Sequence, residues 1–195
     1  MPKVGMEPIR RQQLIEATIA TISEHGIAET TVQRISKVAG VSAGIIHHYF
    51  GGKNELLEAT MRTLLRELHT LVGAAMARET QPRARIEAIV DGNFSDRQFE
   101  PGVITAWLSF WAQVPHVPEL ARLQRVNARR LQSNLLFSLR QLLPAARAEA
   151  AAAGLAALID GLWLRAALSG QHDVTRARAT VRDYLSHLLD SRQET

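Results

Sequence analysis

TTVQRISKVAGVSAGIIHHYF, residues 30–50, carries two short runs of helical period joined by Ala39-Gly40-Val41-Ser42. Thr30 with Gln33 fits a capping box that opens the first run, and Gly40 breaks it after Ala39. Ser42 fits the cap of the second run, and Gly51-Gly52 stops it near Phe50. Val32, Ile35, Val38, Val41, Ile45 and Ile46 are available to pack against a neighbouring helix. A four-residue turn containing glycine holds two helices at the wide angle that lets the second enter a DNA major groove. Ile45 and part of Ile46 are then expected to face inward, leaving Ser42, Ala43, Gly44, His47 and His48 toward DNA. Small residues at the leading end suit close approach: Ala43 against a thymine methyl, Ser42 to an acceptor or a phosphate.

Around this stretch lie the residues suited to anchoring a phosphate backbone. Tyr49 and Lys53 put a phenol and an ammonium around a glycine break, at the start of a helix whose free N–H groups also favour a phosphate. Thr31 and Arg34 can add contacts from the start of the preceding helix. Each has a plainer reading: His47 and His48 as surface residues, Tyr49 as a ring half-buried against the first helix. A metal role for the histidine pair fails on geometry, because adjacent helical residues point about 100° apart and no carboxylate completes a site. Charge supports DNA only modestly. Residues 1–54 hold Lys3, Arg10, Arg11, Arg34, Lys37 and Lys53 against Glu7, Glu16, Glu24 and Glu29, a net +2, so two copies are needed for useful affinity.

Outward from the turn, nearly every segment repeats at a helical period and none sustains the alternation of a strand. A first helix over residues 8–25 presents Ile15, Thr18, Ile19 and Ile22 on one side, with Gly26 as its stop. A long fourth helix runs from Lys53 toward Glu79, with Leu57, Met61, Leu64, Leu68 and Leu71 at spacings of three and four. Pro82, Pro101, Pro115, Pro118 and Pro144 cut the remainder into further helices, the last two over residues 145–168 and 173–190. The expected fold is all-α with about nine helices. An N-terminal three-helix DNA-binding module with a helix-turn-helix, residues 1–52, is joined by the long fourth helix to a C-terminal helical ligand-binding and dimerisation domain, residues 53–195.

Composition narrows the class. The chain has 195 residues, 46% hydrophobic and 22% charged, which excludes a disordered or collagen-like protein. Without cysteine there is no disulfide scaffold, thiolate nucleophile or cysteine-ligated metal. The seven histidines show no ligand spacing and no nucleophile motif is present, so neither an enzyme nor a metal or other cofactor is expected. The N-terminus lacks the apolar core of a signal peptide, and the longest uncharged apolar run, residues 150–159, ends at Asp160, short of a membrane span. A soluble cytoplasmic protein that does not enter the membrane is expected.

The N-terminal pattern resembles that of the TetR family of one-component transcriptional repressors. It is carried by Leu14-Ile15-Glu16-Ala17-Thr18, by Gly26 and Thr31, by Ile35-Ser36-Lys37-Val38-Ala39-Gly40-Val41-Ser42, and by His48-Tyr49-Phe50-Gly51-Gly52-Lys53-Asn54-Glu55-Leu56-Leu57. This resemblance reaches to about residue 68. Within the family, the segments VSAGIIHHYFGGKNELLEATMR, AWLSFWAQVPHVPEL and GLAALIDGLWLRAALSG resemble the choline-responsive regulators of glycine betaine synthesis over essentially the whole chain. The resemblance implies a homodimer on a palindromic operator that represses genes of choline uptake and of glycine betaine biosynthesis and responds to choline. By the family pattern His48, Tyr49 and Lys53 map to backbone contacts, Ser42, Ala43, Gly44 and His47 to the groove-facing surface, and the last two helices to the dimer interface. The alternative is a TetR-like repressor of another regulon, efflux for example, sensing a different cationic or apolar ligand.

A quaternary ammonium wants aromatic faces and a counter-charge. Asp160 lies in a run of alanine and leucine, an expensive place for an unpartnered carboxylate, with Trp163 three positions on. Trp107 and Trp111 form an i,i+4 pair, and Phe94 and Phe99 precede them, with Asn93 and Asp91 as weaker candidates. The plain alternatives are tryptophans serving as core and Asp160 paired with Arg165 or with an arginine across a dimer. The apolar faces of the last two helices, Leu155, Leu158, Ile159, Leu162 and Ala166, then Val174, Ala177, Val181, Leu185 and Leu188, suit a symmetric four-helix bundle between two copies.

Overall fold

The computed structural model describes residues 6–170 and 173–190; Lys3 and His172 lie outside them. Among these residues the regular structure is nine α-helices: α1 (Met6–His25), α2 (Val32–Ala39), α3 (Ala43–Phe50), α4 (Lys53–Ala77), α5 (Pro82–Asn93), α6 (Pro101–Gln113), α7 (Pro118–Leu139), α8 (Ala145–Ser169) and α9 (Val174–Asp190). The all-α expectation holds, and the boundaries follow the punctuation. Helices α5, α6 and α7 begin on Pro82, Pro101 and Pro118, where proline lacks only an N–H that has no helical partner. Gly40 closes α2 in the left-handed region, φ 65°, where its N–H reaches back to the Lys37 and Ser36 carbonyls.

Three local expectations are corrected. The cap of α2 is Thr31, whose hydroxyl accepts the Arg34 N–H at 3.2 Å; Thr30 is fully buried and donates its hydroxyl to the Gly26 carbonyl. Thr31 has the extended backbone, φ −120° and ψ 159°, that aims a side chain back into the first turn, while the Thr30 hydroxyl is spent on Gly26. On α3, Ile46 is the fully buried residue while Ile45 is half-exposed, so the helix is rotated by a residue from the expected setting. Val38 stays 48% exposed and does not join the core.

The chain forms two compact units: the chain up to Leu64 with Pro101–Ala121, and Leu65–Glu100 with the chain from Arg122 on. In the first, α1 packs on α2 and α6. Its core holds Leu14, Ile19 and Ile22 of α1, Ile35, Ile46, Leu56 and Leu64, and Val103, Ile104 and Trp107 of α6. In the second, α9 packs on α5 and α8 around Ile86, Ile89, Phe94, Leu135, Leu139, Leu155, Ile159, Val181 and Leu185. Gly92 is where α5 meets the Val72 turn: a Cβ there would stand 2.6 Å from Val72 Cγ2 and 3.2 Å from its Cα.

The apolar faces of α8 and α9 are mostly spent inside the chain itself. Leu155, Ile159, Ala166, Ala177, Val181 and Leu185 are buried, which corrects their assignment as a face awaiting a second copy. What stays exposed is a different set: Leu164, Leu168 and Tyr184. Helix α8 is, among the described residues, the one helix long and apolar enough to cross a membrane by length and composition. Its charges at Arg147, Glu149, Asp160 and Arg165 and its buried stripe are those of a core helix.

Candidate nucleic-acid interface and ligand-binding site

Helix α1 grips the C-terminal ends of both helices of the turn. Gln13 Nε2 donates to the Ala39 carbonyl at 2.6 Å and Arg11 Nη1 to the Tyr49 carbonyl at 2.5 Å. Both acceptors belong to last-turn carbonyls that have no helical donor of their own. The Arg11 guanidinium also lies 4.3 Å from the centroid of Phe50. These contacts fix the orientation of α3, and no local pattern announces them, because partners 26 and 38 residues apart meet only in the fold.

With α3 fixed, Ser42, Gly44, His47 and His48 are exposed on one surface, Ala43 is half-buried beside them, and Tyr49 stands partly exposed with its ring edge-on to His48 at 4.9 Å. His47 Nδ1 is 3.0 Å from the Gly51 carbonyl. A carbonyl only accepts, so Nδ1 carries the proton, and in the neutral ring Nε2 is left as an acceptor facing outward. Lys53, at the first position of α4, makes no hydrogen bond or ion pair among the described residues. Thr31 is exposed at the start of α2. Arg34 is already engaged by the Glu29 carboxylate at 2.9 Å and the Glu29 carbonyl at 2.6 Å, so a phosphate must compete for it.

The aromatic candidates separate into two clusters. In the second unit, buried Phe94, Phe99 and Trp163 meet pairwise: Phe99 edge-on to Trp163 at 5.1 Å, Phe94 edge-on to Phe99 at 5.4 Å, Phe94 parallel to Trp163 at 6.4 Å. In the first unit, Trp107 contacts Phe110 at 5.7 Å and Trp111 at 5.8 Å. Asn93 is buried, and its amide donates to the Ile89 carbonyl at 2.8 Å. Asp91 holds Arg182 at 2.6 Å and Arg178 at 3.8 Å, an α5–α9 link.

Asp160 is not among the Trp163 cluster. It stands at the mouth of a cleft between α7 and α8, and forms no hydrogen bond or ion pair, with Arg165 or any other group, among the described residues. Its side chain keeps some exposure, yet the surrounding protein strips enough water to push its carboxyl above the usual carboxylate range.

The model of bacterial regulatory proteins of the tetR family matches residues 14–60, and that of the BetI-type transcriptional repressor, C-terminal, matches residues 82–190. This chain belongs to the BetI-type transcriptional repressors of the TetR family. The "HTH-type transcriptional regulator BetI 2" of Chromohalobacter salexigens is 55% identical over 192 residues, 97% of this chain and 93% of that protein. The "HTH-type transcriptional regulator BetI" of Yersinia pestis is 52% identical over 193 residues, 97% and 98%. A transcriptional regulator of Pseudomonas aeruginosa superimposes with a TM-score of 0.80 at 29% identity, covering 94% of this chain and 91% of that one. A regulator of Saccharomonospora viridis crystallised in complex with choline shares the fold at TM-score 0.79 and 20% identity, covering 92% and 97%.

As a BetI-type repressor the protein is a regulator and not an enzyme, and its α1–α3 module is the part of a TetR-family member that binds operator DNA.

Proposed function

We propose that this BetI-type protein is a cytoplasmic homodimer that represses genes of choline uptake and glycine betaine biosynthesis, and that choline lowers its operator affinity. Residues 1–52 are the DNA-binding module in this reading, and residues 53–195 the ligand-binding and dimerisation part. The observation that carries it is end-to-end identity of 52–55% with BetI regulators, through the C-terminal body as well as the helix-turn-helix. Two copies joined through α8 and α9, using Leu164, Leu168 and Tyr184, present two α3 helices to successive major grooves about 34 Å apart on a palindrome. Ser42, Ala43, Gly44 and His47 read bases; Thr31, Arg34, His48, Tyr49 and Lys53 hold phosphates.

Phe94, Phe99 and Trp163 are the proposed recognition group for the trimethylammonium, since aromatic faces attract a cation that has no hydrogen to donate. Two or three such contacts at roughly 1–2 kcal/mol each suffice for micromolar-to-millimolar sensing. Trp107 is buried in the core of the first unit, with Trp111 half-exposed beside it. The test is titration of choline into the purified protein by calorimetry, alone and with its upstream DNA bound. Heat with choline and release of the DNA support the proposal; heat only with an unrelated apolar compound contradicts it.

A further inference from the structure

The cleft between α7 and α8 holds about 230 Å³, the share of roughly seven or eight waters. Its lining is chemically lopsided. Asp160 brings a carboxylate without a partner, and Gln124 brings an amide oxygen, Oε1, that is buried and accepts nothing. Asp160 is exposed to water at the cleft, whereas Gln124 Oε1 in the same lining is buried with no hydrogen supplied to it, which is costly unless a donor arrives from outside. No aromatic residue lines the cleft, so a cation that lacks N–H groups finds there only the Asp160 counter-charge and leaves Gln124 Oε1 without a donor.

A third lining residue gives the cleft a route to α4. Arg130 Nη1 stands 2.7 Å from His69 Nδ1, and a guanidinium only donates, so Nδ1 is the unprotonated nitrogen. The proton is then on Nε2, which donates to Asn127 Oδ1 at 3.3 Å. Asn127 lines the cleft, while His69 belongs to α4, the helix that begins at Lys53. The Asn127 carboxamide oxygen is thus committed to His69, which turns its NH₂ to other partners such as a ligand hydroxyl.

We propose that this cleft is a binding site for a small ammonium ion that carries N–H groups, held by Asp160 and by Gln124 Oε1, whose occupancy is reported to α4 through Asn127 and His69. It is separate from the aromatic cluster and does not depend on the choline reading. The ligand class differs in the one respect the lining dictates: it donates hydrogen bonds, and a primary amine with a neighbouring hydroxyl satisfies every group named.

The test uses the full-length protein titrated with ethanolamine, N,N-dimethylethanolamine and choline, followed by calorimetry and by the ring resonances of His69. Ethanolamine is expected to bind most tightly, with affinity falling as methyl groups replace N–H. Asp160→Asn should weaken ethanolamine by about 10-fold or more, the effect of losing a charge-assisted hydrogen bond. Gln124→Leu should weaken it by several-fold, and Trp163→Leu should leave it unchanged. His69 should shift on binding in the native protein and stop shifting in Asn127→Leu. Binding of choline as tight as ethanolamine and indifferent to Asp160→Asn would overturn the proposal. So would the absence of ethanolamine binding together with a weaker dimer in Asp160→Asn, which would put a group of the second copy in the cleft. Choline release of DNA, being read with the Trp163 variant, can fail or succeed independently of either result.

Discussion

Arg11 holds the carbonyl of Tyr49 at 2.5 Å, so the end of the recognition helix is fastened from α1, well outside the helix-turn-helix itself. The same guanidinium covers the Phe50 ring, and half of the contact is apolar. Replacing Arg11 by alanine or methionine removes the donor and is expected to lower operator affinity at least 10-fold. The cost to stability should be only about 1 kcal/mol, since the side chain is part-exposed. Arg11→Lys should recover part of the affinity. Anisotropy on operator DNA alongside thermal melting separates the two effects; equal loss of affinity and folding would mean Arg11 is merely structural.

His47 and Lys53 should divide the DNA energetics. Lys53→Ala is expected to weaken binding on every sequence and reduce the slope of log affinity against log salt by about one. With Nε2 as an acceptor, His47 suits the exocyclic amine of adenine or cytosine in the major groove. His47→Ala should erase the preference at one position per half-site, and His47→Arg should move it to guanine. Selection from a randomised duplex library at a pH where the ring is neutral reads both; a His47-dependent preference for guanine in the native protein would contradict the tautomer.

Gly92 tolerates no side chain where it faces Val72. Gly92→Ala drives a methyl into Val72 Cγ2 and against its backbone, and is expected to cost about 1–3 kcal/mol, lowering Tm by roughly 2–10 °C. Val72→Ala in the same chain should restore only part of this, because the backbone of residue 72 would still crowd the new methyl at 3.2 Å. Calorimetric melting of the single and double variants decides it; a Gly92→Ala protein as stable as the native one would show that α5 can move away.

Burial first, and the Arg130 guanidinium second, hold the His69 imidazole below its ordinary value of 6.5. The unfolded chain therefore binds this proton at a higher pH than the folded one, and stability falls as pH drops through about 6.5, levelling once the folded value is passed. Acidification from about pH 7.5 to about pH 5.5 should lower the Tm of the native protein more than that of His69→Gln. An identical pH dependence in both would remove His69 as the cause.

The helices were readable where a single residue type enforces a boundary. Pro82, Pro101 and Pro118 each open a helix, and Gly40 ends one because its left-handed backbone excludes most side chains. Between Thr30 and Thr31 composition does not choose, since both hydroxyls suit a cap and the backbone alone decides which one reaches Arg34. Spacing placed Asp160 and Trp163 near one another on α8, but three residues turn the helix about 60° from a shared direction, enough to send one into the core and the other to a cleft. Arg11, Gln13 and Asn127 were invisible for a common reason: their partners are on other helices, and no period in the sequence records which faces will meet. The apolar stripe of α9 was visible but ambiguous, because a core and a dimer interface ask for the same residues.

Footprinting of the full-length protein on the DNA upstream of its own coding sequence, with and without choline, tests the central claim most directly. Two protected patches one helical turn apart on the same face of the duplex, both weakened by choline in the native protein and neither in Trp163→Ala, are the expected result. A single patch, or protection that choline leaves untouched in the native protein, would contradict it.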